Sequence, residues 1–205
     1  MLNDLLNAVL QLLAFTLLPF LVYLITKRKA GGFLDWVGLK KSTRKAILLA
    51  LAVSLIFLIP PIVFSFISPE FKETLMEPST MTGKFRAMGP GISTLVVLVA
   101  AAVIKTSLSE EILFRGFVAK RLIAWLGFQV GNISQAFIFG IIHFAIFINL
   151  SEGLFFPIAI LIISGLGAYI SAYLNEKLAN GSIIPGWISH AMANLVSYSY
   201  VALVL

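Results

Sequence analysis

Apolar residues fall into six long runs along this chain, at about Leu5 to Ile25, Ala46 to Ile67, Ile92 to Val118, Ile133 to Leu150, Leu154 to Leu174 and Ile183 to Leu205. Runs of roughly 18 to 27 residues match a hydrocarbon layer about 30 Å thick crossed by helix at about 1.5 Å per residue, with the long third run tilted or protruding. The pattern predicts an all-α fold, a polytopic membrane helical bundle with about six transmembrane helices. No internal repeat and no second soluble stretch divides it, so residues 1–205 are expected to form a single membrane-embedded domain.

The polar stretches between the runs set the expected topology. The first loop carries Lys27, Arg28, Lys29, Lys40, Lys41, Arg44 and Lys45. The excess of Lys and Arg on cytoplasmic loops places it inside and the N-terminus outside. Threading six spans from there puts Lys120 and Arg121 in loop 3/4 and Lys177 in loop 5/6 on the inner side, against Lys72, Lys84 and Arg86 outside. Within the first loop, Gly31 to Leu39 mixes apolar residues with Trp36 and flanking lysines, which suits a short segment at the membrane interface. The longest polar stretch, Ser68 to Gly91, reads as an outer loop with one or two helical turns around Phe71 to Met76. The first span has Asp4 before it, no basic residue and no clear small-residue cleavage site, and reads as a retained helix.

Composition agrees: 60% of the 205 residues are hydrophobic and 12% charged, with a mean hydropathy of +1.01. A net charge of +6 follows from the loop asymmetry and from attraction to anionic lipid, so no nucleic-acid partner is expected. With no cysteine, disulfides, thiolate metal sites and cysteine nucleophiles are excluded.

Against this background, charge inside a span is costly and calls for partners and a purpose. Glu110, Glu111 and Arg115 lie inside the third run, and the chain's two histidines, His143 and His190, lie inside the fourth and sixth. Glu111 and Arg115, at i and i+4, suit an ion pair along one helix face, which leaves Glu110 free to face a cavity. Measured from the expected inner helix ends, Glu110 and His143 lie roughly 15 Å deep and His190 roughly 10 Å, a shared level in the cytoplasmic half. Asn194, one turn after His190, offers a second neutral donor on the same face. Such donors suit an oxyanion, and a carboxylate beside an imidazole suits activation of water. Pro185 fits a first-turn position, and Gly181 and Gly186 suit turns or close packing.

Glu110-Glu111-x-x-x-Arg115, Phe139-x-x-x-His143 and His190-x-x-x-Asn194, in this order and on separate helices, resemble the three motifs of the CPBP family, the CaaX-protease and bacteriocin-processing (Abi) intramembrane endopeptidases. The resemblance covers residues 92–205, the expected catalytic core helices. It implies that Glu110 and His143 activate water, that His190 and Asn194 form the oxyanion site, that Glu111 and Arg115 support them, and that Phe139 packs. The implied activity is hydrolysis of a peptide bond near the cytoplasmic face, on a peptide or membrane-protein substrate, in a bacterial or archaeal cell membrane. The chain lacks H-E-x-x-H, and no cofactor is expected, with zinc held by the histidines and Glu110 as the alternative. The competing function is a non-catalytic immunity or scaffold protein that keeps the polar cluster for folding. A proton-coupled transporter fits less well, because no paired repeats or broken midspan helices appear.

Overall fold

The computed structural model describes residues 1–205 and contains ten α-helices and no strand. These are α1 (Leu2–Lys27), α2 (Phe33–Val37), α3 (Arg44–Ile67), α4 (Pro69–Met76), α5 (Met81–Met88), α6 (Ile92–Ala100), α7 (Lys120–Leu126), α8 (Phe128–Phe147), α9 (Phe155–Tyr173) and α10 (Ile184–Leu203). Between α6 and α7 the chain stays helical through two π-helical stretches, Ala101–Leu108 and Glu111–Ala119, so Ile92–Leu126 is one long helix. Five helices are long and apolar enough to cross a membrane. The sixth expected crossing, α10, has the length but is less apolar than these five, and its polar residues include Ser189, His190, Asn194 and Ser197.

The third span continues past the expected Val118 to Leu126, so Lys120 and Arg121 are helical and not loop residues. Both find local partners that make this possible. Lys120 Nζ reaches Glu176 and the Gly181 carbonyl at 2.8 Å, and the Arg121 guanidinium lies 3.5 Å above the Trp36 ring. Helix α8 correspondingly starts at Phe128, five residues before the expected Ile133, and ends at Phe147. Gly127, at φ 78°, makes the reversal between the two helices, a backbone region that side chains disfavour.

Contacts sort the loops onto two ends. At the basic end, α2 is the short segment expected between the first two spans. Its Phe33 and Val37 cluster with Tyr23 of α1. The Gly38 carbonyl accepts from Ile183 N at 2.8 Å, Ser182 Oγ donates to the Lys40 carbonyl at 2.7 Å, and Thr43 Oγ1 to the Leu178 carbonyl at 2.8 Å. At the other end Lys84 pairs with Asp4, and Glu70 accepts from Ser151 Oγ at 2.5 Å. Val201 and Leu205 also pack there, against Phe71 and Phe156. Successive spans therefore alternate in direction, as threading the loop charges predicts.

The stretch Ser68 to Gly91 is more helical than expected. Besides α4 it forms α5, which starts where Thr80 Oγ1 accepts from Gly83 N at 3.0 Å. Such an N-cap stabilises a short helix that apolar patterning alone does not reveal.

Helices α8 and α9 make the closest pairing. Asn132 and Gln135, both fully buried, donate to the carbonyls of Tyr169 and Ala168 at 3.0 Å. Gly140 lies against the α9 backbone, where an added Cβ would meet the Leu161 carbonyl at 2.7 Å; at Gly165 the nearest atom would be 3.4 Å away. Helices in lipid gain from such close approach because no hydrophobic drive separates protein from lipid tails. Gly140→Ala is therefore expected to destabilise the bundle by about 1–3 kcal/mol, while Gly165→Ala is tolerated. Thermal unfolding of the two variants in detergent checks this, and equal midpoints would contradict it.

Candidate active site

Glu110 and Glu111 stand where the long helix changes to π-helical winding, in which i→i+5 bonds replace i→i+4 bonds. The two carboxylates have different surroundings. Glu111 is fully buried, with its Oε1 3.2 Å from Arg115 Nε, itself only 3% exposed. The contact lies off the hydrogen-bond axis, since neither Glu111 oxygen and neither Arg115 Nε nor Nη1 makes a hydrogen bond. Phe139 of α8 covers the guanidinium at 4.1 Å, which adds cation–π attraction where water is excluded.

Glu110 lines a cavity of about 380 Å³, together with Arg115, His143, His190 and Asn194. The long helix, α8 and α10 thus bring the expected catalytic residues to one space, and Glu111 alone of the expected set lies behind its wall. Glu110 is 15% exposed and His190 18%, so neither side chain is fully enclosed. Glu110 Oε2 has no hydrogen-bond partner within the protein. It lies 3.9 Å from His190 Nε2, and His190 Nδ1 lies 3.6 Å from Glu111 Oε1.

His143 Nδ1 lies 2.9 Å from the Phe139 carbonyl of its own helix. A carbonyl oxygen has no proton to give, so Nδ1 donates and neutral His143 keeps its lone pair on Nε2. Phe139 links these groups: its ring is 4.4 Å from the His143 ring and 6.2 Å from that of His190. The packing expected of Phe139 is found, and it reaches both histidines and the arginine.

Asn194 is held differently from the expectation of a free donor. Its Nδ2 donates to Thr106 Oγ1 at 2.9 Å and to Ser107 Oγ at 3.2 Å, which engages both amide protons on the long helix. Thr106 spends its own proton on the Ala101 carbonyl at 2.9 Å, so it accepts from Asn194.

The sequence reading missed Thr106, Ser107, Asn175 and Tyr198. Thr106 and Ser107 precede Glu110 by about one turn, a periodicity that was available. Tyr198 lies four residues after Asn194 and also lines the cavity. Asn175 is 1% exposed and accepts from Gly186 N at 2.9 Å; beside Glu176 and Lys177 it looks like loop. An added Cβ at Gly186 would collide with Glu111 Oε2 and with Asn175 Nδ2, so glycine lets α10 seat against both.

The expected depth of His143 in the half nearest the basic loops needs correction. His143 stands about 22 Å from the start of α8 at the basic end and about 6 Å from its far end. The cavity wall includes Phe71, Thr74, Leu75, Thr80, Met81 and Thr82 of the α4–α5 region. His190 stands about 9 Å from the start of α10 at the basic end, so the departure is that of His143, because α8 starts earlier and ends sooner than its apolar run suggests.

No curated protein and no solved structure matches the chain. Residues 92–196, more than half of it, match the family described as Rce1-like, type II CAAX prenyl endopeptidase. The matched segment includes Glu110, His143, His190 and Asn194, and the chain belongs to this family of membrane-embedded peptide hydrolases.

Proposed function

We propose that this chain is an intramembrane endopeptidase in which Glu110 and His143 activate a water molecule and His190 with Asn194 stabilises the oxyanion. The observation that carries the reading is the convergence of these four residues from three helices on one cavity. Glu110 Oε2, a buried oxygen without a protein hydrogen-bond partner, and His143 Nε2, with its lone pair free, are the groups that would take a proton. Water attacks the peptide carbonyl carbon as its proton passes to this pair. The oxyanion forms toward His190 and the Asn194 amide, which turns one proton away from Ser107 to meet it. The carbon–nitrogen bond then breaks, the stored proton goes to the leaving amine, and a carboxylate and an amine remain.

Val53, Phe57, Ile146, Ile160 and Ile163 give the cavity an apolar wall, which suits aliphatic side chains or a lipid group on the substrate. A second reading, a non-catalytic immunity or scaffold protein, draws on Asn194, whose two donors join α10 to the long helix. Purified protein incubated in detergent with a quenched-fluorescent peptide library separates the two. Cleavage by the wild type that is lost in Glu110→Ala supports the peptidase.

Within the cluster, Glu110→Gln is expected to lower kcat at least about a hundredfold while the protein stays folded. Glu111→Gln and Arg115→Ala each strand a buried charge, which costs about 3–5 kcal/mol, and are expected to reduce the yield of folded protein. Full turnover by Glu110→Gln would remove it from the role of base.

We further propose hydrolysis without a metal cofactor. His190→Ala and Asn194→Ala are each expected to lower kcat by about 10² to 10³, the usual effect of removing one oxyanion donor. Activity is expected to survive exhaustive chelation. Stoichiometric zinc with chelator-sensitive, zinc-restored turnover would favour a zinc-dependent protease instead.

A further inference from the structure

Behind the cavity wall lies a group of buried polar atoms that the mechanism above does not use. Asn175, 1% exposed, sits in the π-helical turn Leu174–Leu178 that continues α9. Its Oδ1 accepts from Gly186 N at 2.9 Å. Only the oxygen end of an amide accepts, so this bond fixes which way the side chain is turned. Nδ2 is directed elsewhere, buried and without a hydrogen bond. Its neighbour there is Glu111: a Cβ placed on Gly186 would lie 2.4 Å from Glu111 Oε2 and 2.7 Å from Asn175 Nδ2, so the two atoms flank the same glycine. Both Glu111 oxygens lack a hydrogen bond, and so does His190 Nδ1, which lies 3.6 Å from Glu111 Oε1. Two orphaned donors thus stand beside one carboxylate, one near each of its oxygens.

Burial makes each unpaired group costly, and the cost is removed when donor meets acceptor. We propose that Asn175 is a positioning residue of the active site: its Nδ2 donates to Glu111 Oε2 and so holds the carboxylate where Oε1 accepts from His190 Nδ1. The bond made by one imidazole nitrogen decides the tautomer and aims the other nitrogen. With Nδ1 tied to Glu111, Nε2 faces Glu110 Oε2 across 3.9 Å at the cavity. A carboxylate at Nδ1 also supports a second proton on the ring, and it is as the imidazolium that Nε2 donates to an oxyanion. Asn175 is not part of the cavity wall and touches no substrate. On the peptidase reading above, on which its effect on turnover rests, it acts through Glu111 and His190.

The chain has only two histidines, so nitrogen NMR on imidazole-labelled full-length protein in detergent reads the tautomer directly, and His143→Gln assigns the signals of His190. In the wild type, His190 is expected to carry a proton on Nδ1 at every pH at which the protein is folded. Asn175→Leu is expected to let the ring populate both tautomers. It should also lower kcat on a cleaved peptide about 10- to 100-fold, the scale usual for a hydrogen-bond partner behind a working residue, with KM little changed. Asn175→Asp keeps an oxygen for Gly186 N but lacks the donor, so the same loss is expected from it if the leucine variant fails to fold. A bare Nδ1 on His190 in the wild type would overturn the proposal whatever the activity. So would full turnover in either folded variant, or lost turnover with the Nδ1 proton undisturbed, which would reduce Asn175 to an anchor of α10. The NMR arm needs no turnover: a wild type that cleaves no peptide would count against the peptidase reading, and the tautomers of wild type and variants would still decide whether Asn175 and Glu111 orient His190.

Discussion

Burying Arg115 among membrane helices is tolerable because Glu111 meets it at 3.2 Å and Phe139 lies over its guanidinium at 4.1 Å. An isolated charge at this depth costs several kcal/mol, and a buried pair repays that only when its surroundings are matched to it. Much of the neighbouring structure provides the match. Gly186 lets α10 approach Glu111, Asn175 anchors the start of α10, and His190 Nδ1 comes within 3.6 Å of the same carboxylate. The pair thus fixes where the long helix, α8 and α10 stand relative to one another, and Glu110 takes its place from that arrangement.

The division of labour between adjacent glutamates follows from burial. Glu111 is enclosed beside an arginine, whereas Glu110, one residue earlier, turns to the cavity. The π-helical winding around them widens the turn at this point. Asn194 shows the same economy in another form. It joins two helices through Thr106 and Ser107 and stands at the cavity wall, so one amide serves packing and lies within reach of the chemistry.

Much of the architecture was legible because its signals are local. Unbroken apolar runs marked six crossings, loop charges arranged them in alternating order, and Glu111 with Arg115 at i and i+4 announced an ion pair. The errors arose where tertiary contacts override local pattern. Lys120 and Arg121 read as loop because they are charged, yet Glu176, the Gly181 carbonyl and the Trp36 ring hold them in a helix. Helix α5 escaped notice because a threonine cap starts it. Asn175 was hidden by its charged neighbours, although its side chain faces Gly186 across the bundle.

The sequence by itself determined the fold class, the number and alternation of the spans, the concentration of basic charge at one end and the identity of the ionisable cluster. Each is a property of composition over one turn or one membrane thickness, since lipid demands satisfied backbone and punishes stray charge. Only the tertiary structure decided that Asn194 is engaged by Thr106 and Ser107, that Glu111 is sealed while Glu110 is not, and that no residue of the first basic loop lines the cavity. Those outcomes depend on the offset and close approach of helices distant in sequence. Gly186, Gly116 and the early start of α8 contribute to them, and no local pattern records which side chains a packed bundle turns to its cavity.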